Sequence, residues 1–244
     1  MTLPAFLSDA VGGAAVGASV LLDGDEGRHA ATVKRIRVGE QVVLTDGSGT
    51  SAVCSVTGTA KSSLTLSVVS TSFAERATPT ITVVQALPKG DRGELAVEVL
   101  TEIDVDRIVP WAASRSVAVW KGERAAKGLA KWRATAREAT KQARRSWLPE
   151  VAELTSTAEV AALIGEVDVA LVLHEDAEQA LAEVSFDGAS SVLVVVGPEG
   201  GISDEELAAF EGARAVRLGS SVLRTSTAGV AAVAAILSRT DRWR

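Results

Sequence analysis

The chain has 244 residues, 47% of them hydrophobic, and its 25 Lys and Arg against 31 Asp and Glu give a formal net charge of −6. That length accommodates one large domain or two small ones, and no charge-free apolar run is long enough to span a bilayer. One cysteine (Cys54) and two histidines (His29, His174) exclude a disulfide framework and argue against an all-protein metal site.

The start of the chain lacks a basic stretch ahead of its apolar residues, so no signal peptide is read and a cytoplasmic protein is expected. Residues 1–72 then read as short strands and turns, with β-rich runs at 19–22, 41–44, 52–57 and 63–69. Asp46-Gly47-Ser48-Gly49 marks a tight turn between the second and third of these. HAATVKRIRVGE (29–40) reads as a short helix-like segment, with Arg28 just ahead of it and Lys34, Arg35 and Arg37 within it. The pattern is that of a small β-barrel of the kind that carries RNA-binding modules. Residues 73–79 are polar, end in proline and suit a linker.

After Thr80 strands and helices alternate. Strands are expected at 80–87, 107–112, 168–173, 191–196 and 215–218. Helices are expected at 91–103, 121–147, 176–184, 204–211 and 226–240. VALVL and VLVVV are apolar at every position, as in a parallel sheet covered on both faces, so residues 80–244 form an α/β domain. Ser203 and Glu206 have capping-box spacing at one helix start.

Net charge hides a division. Residues 107–147 carry eleven basic groups against Glu123 and Glu138, a local +9, whereas 148–223 carry fifteen acidic groups against Arg214 and Arg217, a local −13. With screening over about 8–10 Å, a local basic face on an acidic protein still attracts phosphate. Charge alone fits a solvated helix equally well.

Three segments end a buried strand in a polar or glycine-rich loop: LVLHEDA (171–177), VVVGPEGGISDEE (194–206) and VRLGSSVLRTSTAG (216–229). Ligands bind beyond the carboxyl ends of strands in open parallel sheets, so the three loops suggest one composite pocket. GPEGG (Gly197–Gly201) is neither a P-loop nor a dinucleotide fingerprint, and Asp204, Glu205 and Glu206 behind it disfavour a phosphate. Its glycines permit close backbone approach to a ligand without phosphates. In LRTSTAG, Arg224 precedes hydroxyls able to cap the apolar helix AGVAAVAAIL, which has no polar face and must be buried in the core or against a partner. Taken singly, the two histidines read as structural. No serine-hydrolase elbow exists.

These loops carry a family resemblance. VVVGPEGGISDEE followed by VRLGSSVLRTSTA resembles the SPOUT methyltransferases and, among them, the ribosomal RNA small subunit methyltransferase E (RsmE) family. LPKGDRGELAVEVLTEIDVDRIVPWAASRSV, WRATAREATKQARRSWLPEV and HAATVKRIRVGEQVVLTDGSG extend the likeness over nearly the whole chain. It implies a PUA-like β-barrel joined to a trefoil-knotted SPOUT domain that works as a homodimer. The implied activity is methyl transfer from S-adenosylmethionine to N3 of a uridine in the decoding region of 16S rRNA, within the small ribosomal subunit. Cofactor contacts carried over by motif fall on Leu173, His174, Gly197, Pro198, Glu199, Gly200, Gly201, Leu218, Gly219, Leu223, Arg224, Thr225, Thr227 and Ala228. Arg224 and, more weakly, Glu199 are the candidate catalytic groups. Arg28, Lys34, Arg35, Arg37, Arg115, Arg144 and Arg145 are the candidate RNA contacts, and no metal is expected.

Three departures stand out. Ile103-Asp104 replaces the usual Leu-Gly, Lys141 stands where Glu is common, and Ser226 replaces the Glu of L-R-T-E-T-A. The alternatives are a SPOUT enzyme acting on a ribose hydroxyl or a tRNA base, and an RNA-binding protein without catalysis.

Overall fold

The computed structural model describes residues 3–243. The chain divides into two compact units, one of 1–76 with 140–148 and the other of 77–139 with 149–244. An expected boundary at a 73–79 linker does not foresee the return of 140–148 to the first unit.

The first unit is a five-stranded sheet in the order β1 (Ala5–Leu7), β3 (Gln41–Thr45), β4 (Thr50–Thr59), β5 (Leu64–Phe73), β2 (Ser19–Leu22). All pairs are antiparallel except β1 with β3. Alternate residues point inward, so Ala52, Cys54 and Val56 of β4 join Leu64, Leu66 and Val68 of β5 in a core closed by Phe6 and Leu22. In the turn after β3, Asp46 Oδ1 accepts from the Ser48 and Thr50 N–H groups at 2.7 and 3.0 Å. Residues 146–148 pair with that turn: Gly49 N–H donates to Ser146 and Leu148 N–H to Gly47, each at 2.9 Å. Trp147 Nε1 donates to the Ala74 carbonyl at 2.8 Å, and its ring lies edge-on to Phe73. The helix expected at 29–40 lies earlier, as α1 (Gly24–Arg28) and a π-helical turn His29–Val33. Residues 34–40 form a loop in which Arg35 takes φ +54°.

The second unit is a six-stranded, wholly parallel sheet. Its order is β11 (Arg214–Val216), β9 (Val169–Leu173), β10 (Ser191–Val196), β6 (Thr80–Ala86), β7 (Arg107–Trp111), β8 (Glu150–Val151). Period-two burial explains its uninterrupted apolar strands. Val192, Val194 and Val196 of β10 face one core with Leu171 and Ile81, and Leu193 and Val195 face a second core with Val172 and Val84. The first core is covered by α2 (Arg92–Glu102), α3 (Glu123–Ala143) and α6 (Thr225–Leu237). α3 buries Leu129, Trp132, Ala136 and Ala139 at helical spacing and exposes Lys127, Lys131 and Arg137. The second core is covered by α4 (Thr157–Ile164) and α5 (Asp204–Ala209).

Several expectations need correction. The helix expected at 176–184 is absent apart from a single 3-10 turn, Leu181–Glu183. Its residues favour helix, but Arg217 recruits this backbone instead: Arg217 Nη1 donates to the carbonyls of Ala177, at 2.9 Å, and Glu178. Ala180 also forms a bridge with Arg217. Tertiary pairing has overridden propensity. Conversely α4, with its Ser156–Glu159 capping box, is a helix beyond those expected, and α3 stops at Ala143 rather than at 147.

Two departures from the family pattern have structural partners. Asp104, where glycine is usual, holds φ +75°, a region Asp tolerates better than most residues. Its carboxylate meets Arg242 Nη2 at 2.5 Å, while Arg242 Nη1 meets Asp106 at 2.6 Å. Lys141 Nζ lies 2.9 Å from Glu26 Oε1 inside the first unit, with both side chains largely buried.

Candidate active site

β9, β10 and β11 end at one edge of the parallel sheet, and the loops that follow them line a cleft of about 1210 Å³. The loops after β9 and β11 are zipped together: His174 N–H donates to Val216 (3.0 Å), Arg217 N–H to Gln179 (2.9 Å) and Leu181 N–H to Arg217 (3.0 Å). The loop after β10 turns at Gly201, φ +74°, whose N–H returns to the Pro198 carbonyl at 3.0 Å.

Leu173 and His174, Gly197 through Gly201, and Leu218, Gly219, Leu223, Arg224, Thr225 and Ala228 all line this cleft. Thr227 does not. It is exposed in the first turn of α6, and its hydroxyl donates to the Arg224 carbonyl at 3.3 Å. The expected hydroxyl cap is also missing, since Arg224 occupies the N-cap with no side-chain cap bond, and Thr225 and Ser226 are buried. With Ser226 at that position, no carboxylate stands in the first turn of α6.

Gly200 has a different constraint from the one its sequence context suggests. A Cβ there would stand 2.9 Å from the Arg115 carbonyl oxygen, so the glycine admits a neighbouring backbone. Arg224 is exposed and forms no ion pair among the described residues. Glu199 is engaged: its Oε1 accepts from the Lys89 N–H at 3.2 Å and lies 3.6 Å from Arg92 Nη1. His174 Nδ1 accepts from the Asp176 N–H at 3.2 Å, so in the neutral ring the proton sits on Nε2.

Sequence reasoning missed Arg92 and the second role of Glu206. Buried at the start of α5, Glu206 completes the capping box through Ser203 N–H (3.0 Å) and also accepts from Ser114 N–H (2.7 Å) and Thr157 Oγ1 (3.4 Å). Only burial distinguishes it from an ordinary cap. A further polar tie holds Thr225, which lines the cleft. Gln85, wholly buried in β6, donates from Nε2 to the carbonyls of Ala86 (3.1 Å) and Thr225 (3.3 Å).

Among the other candidate RNA contacts, Lys34, Arg35, Arg37, Arg115 and Arg144 are exposed, and Arg144 holds φ +55°. Arg28 is exposed but pairs with Asp25 at 2.7 Å. Arg145 is buried, because the chain turns inward after α3 ends, so it is no surface contact. Part of the basic charge of α3 is matched by Glu123, Glu94 and Glu153, which pair with Lys127, Lys131 and Arg133.

The architecture is that of a SPOUT-type methyltransferase domain joined to a PUA domain. A family described as "RNA methyltransferase domain" matches residues 75–237, and one described as "RNA methyltransferase PUA domain" matches 22–69. Ribosomal RNA small subunit methyltransferase E of Mycobacterium bovis is 47% identical over 93% of this chain and 89% of its own length. The Bacillus subtilis protein of the same name is 29% identical over 91% of each. The crystal structure of the Neisseria gonorrhoeae enzyme of that name, bound to S-adenosyl methionine, has a TM-score of 0.87 at 27% identity, covering 97% of this chain and 98% of that one. A Legionella pneumophila protein in complex with the same cofactor has a TM-score of 0.89 at 25% identity over 98% of each chain. The chain belongs to the ribosomal RNA small subunit methyltransferase E family.

Proposed function

We propose that this protein transfers a methyl group from S-adenosylmethionine to N3 of a uridine in the decoding region of 16S rRNA, with the small ribosomal subunit as its target. The observation that carries the reading is the cleft built from three loops at the ends of adjacent parallel strands, in a chain of a family with a relative crystallised with that cofactor. In this reading the second unit carries a trefoil knot, and the protein acts as a cytoplasmic homodimer. Support for a dimer is the incomplete burial of the apolar α6, where Val230, Ala231 and Ala234 stay half-exposed, beside a loop that leaves Val222 75% exposed.

The donor set fits the cofactor. Arg217 and Arg224 share the cleft with Glu175, Asp176, Glu199 and Asp204, a mixture suited to a ligand that carries both charges. Small-molecule pockets typically measure about 300–1,000 Å³, so this cleft leaves room for a base beside the cofactor. Leu173, Gly197–Gly201, Leu218 and Gly219 would hold the cofactor by backbone contact, and the His174 Nε2–H is an additional donor. S-adenosylmethionine supplies an electrophilic methyl on a sulfonium.

What remains for the protein is the acceptor. N3 of uridine carries a proton, and its lone pair becomes nucleophilic only when that proton leaves. The negative charge then spreads onto O2 and O4, where a positioned donor stabilises it. Arg224, whose guanidinium has no acidic partner among the described residues, is the group we assign to that role. Glu199, already held by Lys89 and Arg92, is the weaker candidate for the base. Lys34, Arg35, Arg37 and Arg144 of the first unit would hold RNA phosphates.

The test is incubation with methyl-labelled cofactor and small subunits from a strain lacking the enzyme, followed by nuclease digestion and mass spectrometry. We expect 3-methyluridine. Label on a ribose oxygen or on another base would overturn the assignment of the acceptor.

A further inference from the structure

Two arginines from segments remote in sequence converge on the loop after β10. Arg92, at the start of α2, brings Nη1 within 3.6 Å of Glu199 Oε1. Arg115 packs its backbone against Gly200, and a Cβ on Gly201 would lie 3.9 Å from Arg115 Nη1. Both guanidinium groups therefore reach a stretch of three residues, 199–201, whose Cα atoms span at most about 7 Å. The geometry points to a phosphate clamp: Arg92 and Arg115 together hold the RNA backbone beside the target nucleotide at the rim of the cleft. The inference rests on the RNA-methylation reading above.

Two carboxylates fix this arrangement. Glu199 accepts from the Lys89 N–H and so draws in the segment that carries Arg92. Glu206 accepts from the Ser114 N–H at 2.7 Å and so fixes the residue next to Arg115. The oxygens of Glu206 are committed to Ser114, Thr157 and Ser203, and the residue is 4% exposed, so it positions the Arg115 segment without competing for its guanidinium.

Both arginines keep donors to spare. The Arg92–Glu199 separation of 3.6 Å is an ion pair beyond direct hydrogen-bond length, and 41% of the Arg92 side chain is exposed. Arg115 is exposed and forms no ion pair among the described residues. A planar guanidinium offers forked N–H donors that match two phosphate oxygens, and single-stranded RNA presents a phosphate on each side of every nucleotide. A base drawn out of its stack into the cleft would bring those flanking phosphates to the rim. Glu199 then adds discrimination, since a phosphate must compete with it for Arg92 and prevails when Arg115 engages as well. The clamp therefore acts as a pair.

The experiment uses the full chain with Arg92→Ala, Arg115→Ala, the double variant and both Lys variants. The KM for unmethylated small subunits is measured across a potassium chloride series at fixed magnesium, and S-adenosylmethionine affinity is measured by calorimetry. Each Ala variant should raise that KM about tenfold and flatten the slope of log KM against log salt by about 0.7 for each phosphate no longer held. Cofactor affinity should stay within about twofold, because the clamp does not touch the cofactor, and the Lys variants should recover the slope. Unchanged salt slopes would overturn the clamp, as would lost cofactor affinity with an unchanged KM for subunits. Wild-type protein that methylates no RNA would sink the proposed function itself. Normal wild-type methylation with unaltered slopes in the variants would sink only the clamp.

Discussion

The Glu206 carboxylate and the Ser114 N–H, 92 positions apart in sequence, are joined at 2.7 Å in the second unit. A residue that caps a helix of six residues thereby also anchors the segment that leads to Arg115. Glu206→Ala removes the acceptor for both the Ser203 and Ser114 N–H groups, and we expect a loss of about 2–4 kcal/mol, the combined scale of a lost cap and a buried donor left unsatisfied. Urea denaturation of the variant beside Ser203→Ala, which removes the reciprocal half of the cap alone, separates the two contributions. Equal losses in the two variants would show that the Ser114 bond adds nothing.

Gly200→Val should disturb the site through protein packing. Its Cβ would sit 2.9 Å from the Arg115 carbonyl and 3.0 Å from the Arg115 Cβ. Backbone cannot yield as a flexible side-chain end does, so the 113–116 segment must move. We expect the KM for RNA to rise at least as much as the Kd for cofactor. Loss of cofactor affinity alone, read by calorimetry, would show that the glycine serves the ligand instead.

Arg224→Ala should reduce the single-turnover methyl-transfer rate by about 10²–10³, the scale for removing one oxyanion donor, with little change in cofactor affinity. The deficit should shrink as pH rises, because deprotonation of N3 then depends less on stabilisation of its anion. A deficit independent of pH would assign Arg224 to positioning.

Lys141→Ala should destabilise the first unit by about 3 kcal/mol, because it strands the Glu26 carboxylate in a largely buried position. The double change Lys141→Met with Glu26→Leu should recover much of that loss. If thermal melting shows the double variant no better than the single, the pair is not the source of the cost.

Asp168 precedes β9, and its Oδ2 accepts from both the N–H and hydroxyl groups of Ser190 and Ser191, at 2.6–3.0 Å. The Ser190 hydroxyl first, then the backbone and the other serine, hold its carboxyl down to about 2 from an ordinary 3.8. A depressed carboxyl contributes stability that is complete above its unfolded value and disappears as pH falls through its folded value. The stabilisation should therefore persist at pH 5 and be lost between about pH 4 and 2. Carbon NMR of the side chain should show its midpoint near 2, and a midpoint near 4 would show that the four hydrogen bonds are not formed in solution.

The parallel sheet is legible in the sequence because VALVL and VLVVV have no polar position, and the loops after them announce the cleft through glycine and the run of LRTST. Elements whose state depends on a distant partner are not. Residues 176–184 favour helix by composition, yet Arg217 claims the carbonyls of Ala177 and Glu178. α4 is short, and its Ser156–Glu159 cap is hard to tell from a polar loop. Arg92 lies outside the loops that flag the site, and nothing in its local sequence reveals that Glu199 approaches it. Arg145 looks like one more charge on a basic helix, and only the end of α3 at Ala143 turns it inward.

Trp147 and its neighbours complete a unit whose other residues end at Arg76. During translation, then, the amino-terminal sheet lacks its last partner when its own strands emerge, since the segment that satisfies Gly49 and meets Phe73 edge-on is made only after β6, α2, β7 and α3. At about 5–20 residues per second that interval lasts on the order of 4–14 s, during which the 47–49 turn stays without its partner. The same interlacing means that no single cut in the gene separates the small unit from residues of the second. Recombination that moved residues 1–76 to another enzyme would deliver a sheet without its tryptophan clasp.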